Sequence, residues 1–326
     1  MAEDSWSIPK ELRPDPADYG FDLHTALGAV VSVKSRVPAD AFSARTLGTE
    51  REGSGVVIRE DGLVLTIGYL VGEADSIWLT TAAGRVVQGH TLAYDFETGF
   101  GLVQALGRLE APAIPLGTGA APETGAQTVL AAAGADEEGG ALACSLVAKE
   151  PFAGYWEYLL DEALFTAPAH PSWGGAALIG PDGKLIGIGS LVLQHRDQRG
   201  RRLDLNMCVP VALLHPILDD LLRYGRVNKP ARPWLGLYAA DQEEGIIVAS
   251  VAAKGPSERA GLRAGDRILG IDGAEAGDLA TLWRSIWARG AAGVKLRVEA
   301  ERDGRRFTVP VTSADRASFL KAPRLH

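Results

Sequence analysis

The stretch His170–Ile188, HPSWGGAALIGPDGKLIGI, sets Trp173 directly before a glycine pair, Gly174 and Gly175, and runs through the turn residues of GPDG into the apolar run KLIGIGSLVL (184–193). Working outward from it, the chain reads as short strands separated by turn signals: AVVSVKS (29–35), SGVVIRE (54–60), LVLTIGYLV (63–71), SIWLTT (76–81), GRVVQGHTLAY (84–94), GLVQAL (101–106), QTVLAAA (127–133) and LNMCVPV (205–211). So many short strands at close spacing predict an all-β barrel or sandwich. The run VALLHPILDDLLRYG (211–225) spaces its leucines and Ile217 for one apolar helix face, with Gly225 as the stop signal, and closes this unit.

The chain of 326 residues is long enough for more than one core. Expected boundaries are an N-terminal arm over 1–25, a first domain over 26–226, a linker over 227–233 containing KPARP, a second domain over 234–316 and a tail over 317–326. Pro9, Pro14 and Pro16 make the arm a surface segment whose order would need a partner surface. The second domain carries the strands LGLYA, GIIVASV, DRILGIDG, KLRVEAER and RRFTVPV, and a helix from Asp278 to Arg289 with an apolar stripe of Leu279, Leu282, Trp283, Ile286 and Trp287.

A net charge of -8 disfavours nucleic acid or an anionic membrane as partner, and the longest apolar runs, such as AQTVLAAAGA, are too short to span a bilayer. The start MAEDSWSIPKELRPDPADYGF carries no export signal, so the expected location is cytoplasmic, or periplasmic if a signal has been removed. Cys144 and Cys208 sit in apolar runs without metal-ligand spacing. They read as buried free thiols, with a redox pair as the alternative. No metal and no cofactor are expected.

Taken in order, GSGVVIREDGLVLTIGYLV, AYDFETGFGLVQA, SWGGAALIGPDGKLIGI, NMCVPVALL, RPWLGL and GPSERAGLRAGDRILGIDG resemble the HtrA (Deg) family of trypsin-like serine proteases over roughly residues 26–313. The resemblance implies a mainly β chain: a trypsin-like double β-barrel followed by one PDZ domain. It also implies where a catalytic triad would stand. The general base belongs in a TNNHVV-like string, where this chain has TIGYLV and Tyr69; a phenol is a poor proton acceptor at neutral pH. The orienting aspartate belongs in a TDLAVL-like string, where TGFGLV offers Gly99. The nucleophile belongs in GNSGGP, where PSWGGA offers Trp173, whose indole has no nucleophilic oxygen. Pro171 takes the place of a glycine whose N–H would serve the oxyanion hole, and proline has none. Ser172 with His170 is a displaced alternative that hydrogen-bond reach disfavours. Asp95 and Thr98 read as a retained turn. Tyr69 and Trp173, if they converge, fill the cleft or make a new apolar site.

The PDZ resemblance implies a loop, Trp234 to Leu237, whose backbone N–H groups hold a peptide's terminal carboxylate, Gly236 permitting close approach. Leu235, Leu237, Leu282 and Ile286 are the candidates for an apolar pocket around the terminal side chain, with plain core as the other reading. HRDQRGRR (195–202) reads as a solvated hairpin tip. The expected function is a non-catalytic HtrA-like scaffold or regulator binding apolar protein C-termini, possible as a homotrimer. The alternatives are an endopeptidase using displaced residues and a chaperone-like holdase.

Overall fold

The computed structural model describes residues 8–133, 140–196, 200 and 202–321. By their contacts the residues form two units: one runs to Glu150 and again from Glu162 to Val227, the other joins Pro151–Asp161 to Asn228–Lys321. The sequence boundaries kept the stretch 151–161 in the first domain. Its contacts group it with the second.

The first unit opens with helix α1 (Leu23–Gly28), capped by the Asp22 carboxylate, which accepts from the Thr25 N–H at 3.0 Å. Strands β1 (Val30–Arg36), β2 (Glu50–Val57), β3 (Leu63–Ile67), β4 (Ser76–Thr80), β5 (Val86–Tyr94) and β6 (Phe100–Ala105) close into a barrel in the order β1-β2-β3-β6-β5-β4. Every residue of β3 is buried. Short helices α2 (Ala44–Leu47) and α3 (Gly68–Val71) interrupt the strand sequence, α3 following β3 without a gap. Strands β7 (Gln127–Ala132), β8 (Gly140–Gly154), β9 (Tyr158–Ala167), β10 (Ala177–Ile179), β11 (Leu185–Arg196) and β12 (Arg202–Pro210) close a second barrel in the order β10-β11-β12-β9-β8-β7. Leu130, Leu146, Leu164 and Leu178 fill it together with Cys144 and Cys208, both free thiols.

Three strands escape the sequence pattern. β8 reads GALACSLVAKEPFAG, whose small residues and Pro151 hide any apolar alternation. β9 has an acidic pair inside an apolar run, and β10 is only three residues long. The helix expected over 211–225 is not continuous: a single 3-10 turn, Val211–Leu213, precedes α4 (Leu218–Tyr224). Pro216 explains the break, since it lacks an N–H and its ring clashes with the carbonyl four residues back. Gly225, in the left-handed region at φ 68°, ends α4. The arm also differs from expectation. It makes 3-10 turns at Lys10–Leu12 and Pro16–Asp18, buries Ile8, and packs Phe21 where a Cβ on Gly183 would come within 2.6 Å of its ring. The chain itself supplies the surface that orders it.

The second unit is a sheet of β13 (Leu237–Gln242), β14 (Gly245–Val251), β15 (Arg267–Ile271), β17 (Lys295–Arg302) and β18 (Arg305–Thr312) in that order, with β16 (Ala274–Glu275) beside β15. Helix α5 (Pro256–Arg259) precedes β15, and α6 (Leu279–Trp287) lies between β16 and β17 in the chain. Asp278 caps α6 by accepting from Thr281 N–H at 2.7 Å. The apolar stripe of α6, Leu279, Leu282, Trp283 and Ile286, joins Leu237, Ile246, Val248, Ile268 and Val298 in one core. Asp266, fully buried, accepts from both Arg302 Nε (2.6 Å) and Arg302 Nη2 (2.8 Å), a forked pairing that compensates its loss of water. Among the described residues, no helix is long and apolar enough to cross a membrane.

Candidate functional site

In the first unit, glycine-built main-chain turns carry Tyr69, Gly99 and Trp173. β3 delivers Tyr69 into α3 immediately after Gly68. The Tyr69 hydroxyl donates to the Ser190 carbonyl at 2.9 Å. Burial pushes its phenol well above the ordinary range, and a hydrogen bond from the Trp173 side chain only partly opposes this. Tyr69 and Trp173 therefore converge, as the resemblance implied. Neither presents a basic lone pair to a substrate.

Gly99 adopts φ 85°, its carbonyl accepting from Gly68 N–H at 2.7 Å and its N–H donating to the Asp95 carbonyl at 2.8 Å. The Asp95 carboxylate is committed to the same turn, accepting from Thr98 N–H (2.8 Å) and Thr98 Oγ1 (2.6 Å). The Tyr94 ring lies against Gly68, where a Cβ would come 2.0 Å from its Cδ2. Tyr94 packs on Phe96 with centroids 4.2 Å apart. On the other side of the cleft, Gly174 O accepts from Ser54 N–H at 2.7 Å and Gly175 N–H donates to Gly189 O at 2.8 Å. Gly175 stands at φ 77°, and a Cβ there would lie 1.9 Å from Ser54 O. Pro171, exposed, offers no N–H.

The displaced pair is in a different arrangement from a nucleophile and its base. His170 is fully buried; its Nε2 bonds the Gly140 carbonyl at 3.0 Å, which makes Nε2 the protonated nitrogen. Its Nδ1 lone pair accepts from the Ser172 backbone N–H at 2.9 Å, so it is occupied by main chain and not by the Ser172 hydroxyl. Burial also lowers the imidazole pKa.

In the second unit the residues expected to bind peptide divide into backbone and side chain. Trp234 is buried, its ring 4.8 Å from that of Phe319. Leu235, Leu237, Leu282 and Ile286 are all at most 1% exposed and belong to the core. The backbone of the loop is the part available for recognition, and it is engaged: Leu235 N–H donates to Glu157 Oε2 (3.0 Å) and Leu237 N–H to Glu157 Oε1 (2.8 Å). Gly236, at φ 74°, makes the turn that aims both groups the same way. Glu157 is buried, and burial pushes its carboxyl up to about 7, against the opposing pull of these N–H groups and of Arg316. No sequence pattern marked Glu157, which is one of three residues between β8 and β9. Residues 197–199 and 201 of the basic hairpin tip lie outside the described residues.

These features define a trypsin-like peptidase domain followed by a PDZ domain. Residues 53–188 match the trypsin-like peptidase domain family and residues 233–312 the PDZ domain family. The two matches divide the chain as the fold does, a trypsin-like peptidase domain first and a PDZ domain after it. The chain is similar to the serine endoprotease DegS of Escherichia coli K12, with 27% identity over 308 residues, 91% of this chain and 86% of that protein. It is also similar to the serine protease Do-like HtrA of Bacillus subtilis, 22% identical over 90% of this chain and 71% of that one. In fold it matches a serine endoprotease structure from Yersinia pestis (TM-score 0.53, 24% identity, 95% and 99% of the two chains covered). A second match is the structure titled HtrA-type protease AlgW with decapeptide (TM-score 0.54, 22% identity, 93% and 98% covered).

Proposed function

We propose that this chain is a non-catalytic HtrA-like protein that binds protein C-termini through its PDZ domain as a scaffold or regulator. The observation that carries the reading is the joint replacement of the three triad positions by Tyr69, Gly99 and Trp173, with the Tyr69 hydroxyl held by the Ser190 carbonyl. Loss of a triad costs about 10⁴ to 10⁶ in turnover. The N–H missing at Pro171 costs about a further 10² to 10³. What remains functional is the chemistry of main-chain donors, which the PDZ loop carries. The preferred ligands are peptides with a free carboxylate and an apolar last residue.

The relatives' names favour a second reading, a working endopeptidase. In this chain it would have to run through Ser172 and His170, and the engagement of His170 Nδ1 with a backbone N–H argues against it. Casein turnover with fluorophosphonate labelling of the full chain tests the choice. The expected result is no turnover and no label; labelling that vanishes in Ser172→Ala overturns the non-catalytic reading.

A further inference from the structure

The peptide loop of the second unit already holds a carboxylate. Beyond the two bonds from Leu235 and Leu237 to Glu157, the same short segment pairs with the edge strand β13, the Ala239 N–H donating to Tyr155 O at 2.9 Å. From α6, Trp283 Nε1 donates to Gly154 O at 3.0 Å. A peptide that adds a strand to a sheet edge and ends in a carboxylate needs these same two elements: main-chain pairing along β13 and N–H groups at its start.

The geometry points to the tip between β8 and β9 as an internal ligand of the peptide site. Glu157 takes the place of a terminal carboxylate and Tyr155 that of the strand-pairing residue two positions before it, so a protein C-terminus gains the loop only by displacing the tip. This rests on the peptide-binding reading above and adds its regulation. The Leu235 and Leu237 N–H groups cannot serve two carboxylates at once, which makes the two occupants mutually exclusive.

The tip is shaped for that position. Glu157 stands at φ 58°, a left-handed conformation that a non-glycine residue holds only when its surroundings enforce it. Trp156 stacks on Tyr158 with centroids 5.3 Å apart, and it crowds Gly154 so closely that a Cβ there would meet its ring at 2.9 Å. Leu159 enters the core of the unit. The Arg284 to Asp161 pair, at 2.6 Å but largely exposed on both sides, adds little hold.

The test uses the full chain and a fluorescein-labelled nonapeptide ending in Ser-Ala-Leu with a free carboxylate, with its C-terminal amide as control. The expected result is that Glu157→Ala binds the free-acid peptide at least tenfold more tightly than the native chain and that neither binds the amide. Because Glu157→Ala removes a buried group and could disturb folding, hydrogen exchange on the native chain is measured too: saturating peptide should raise exchange across residues 151–161. Equal affinities for the native chain and a folded Glu157→Ala, or a tip that stays protected at saturation, overturn self-occupancy while leaving peptide binding intact. Failure of both proteins to bind the free acid overturns peptide binding, and self-occupancy with it.

Discussion

In the first unit, Gly174 and Gly175 hold the turn ahead of β10 by bonds to Ser54 and Gly189, while the Tyr69 hydroxyl beside that turn donates to the Ser190 carbonyl. In the second, the Leu235–Leu237 loop keeps its N–H groups directed at a carboxylate while its leucine side chains are sealed in the core. The contrast separates two ways of building a site. Where reactivity resides in side chains, it depends on residue identities that the fold itself does not need. Where recognition resides in N–H groups, substitution of side chains leaves it in place, and control has to come from what occupies the groups.

If the glycines of the first site are there for structural reasons, Gly175→Ala should be severely destabilising although the residue ahead of the pair is Trp173. The new Cβ would lie 1.9 Å from Ser54 O, and alanine is strained at φ 77°. Overpacking and backbone strain together cost about 3–4 kcal/mol. The measurement is chemical denaturation followed by probes in the first unit. A loss below about 1 kcal/mol would mean that the frame relaxes easily and that the glycines are there for another reason.

The contrast also governs what could be read from the sequence. Strands with clear apolar runs, such as β1, β3, β6, β14 and β17, were legible, and so was α6 with its Asp278 cap, because periodicity and capping are local. That Tyr69, Gly99 and Trp173 stand where the resemblance would set a triad was legible because it is a matter of residue identity. Glu157 was not. Its role depends on meeting a loop about eighty positions away, and nothing in YWEY distinguishes an acidic turn residue from a ligand mimic. Leu282 and Ile286 show the converse: a helical stripe announces burial, and burial is where the structure puts them. The break at Pro216 was readable in principle, but the leucine spacing on either side outweighed it.

A smaller effect comes from Glu157 itself. Its carboxyl is pushed up to about 7, above the ordinary value near 4.3, so the folded state binds a proton that the unfolded state releases between those values. The contribution to stability is therefore fully present below about pH 4.3 and is lost as pH rises through about 7, an upper figure of about 3 kcal/mol. Other carboxylates titrate in the same window, so the quantity to measure is the difference between the native chain and Glu157→Gln in denaturant titrations of the second unit from pH 4 to pH 8. The expected difference slopes downward with rising pH for the native chain. A flat difference would place the Glu157 carboxylate in water and separate it from the loop.

The least expected change concerns the helix beside the loop. Asp278 accepts from Thr281 N–H at the start of α6, and its exposed carboxylate does nothing else for the core. Asp278→Ala should cost about 1 kcal/mol, the usual worth of a helix N-cap. The loss should appear in the transition of the second unit alone, since the first unit shares none of this cap's bonds. Hydrogen exchange across residues 279–287 checks it directly: faster exchange confined to the first turn of α6 is the signature of a lost cap. If exchange instead rose at the Leu235 and Leu237 N–H groups, the helix would be holding the tip and its carboxylate in place, and the backbone site would depend on α6 as much as on its own loop.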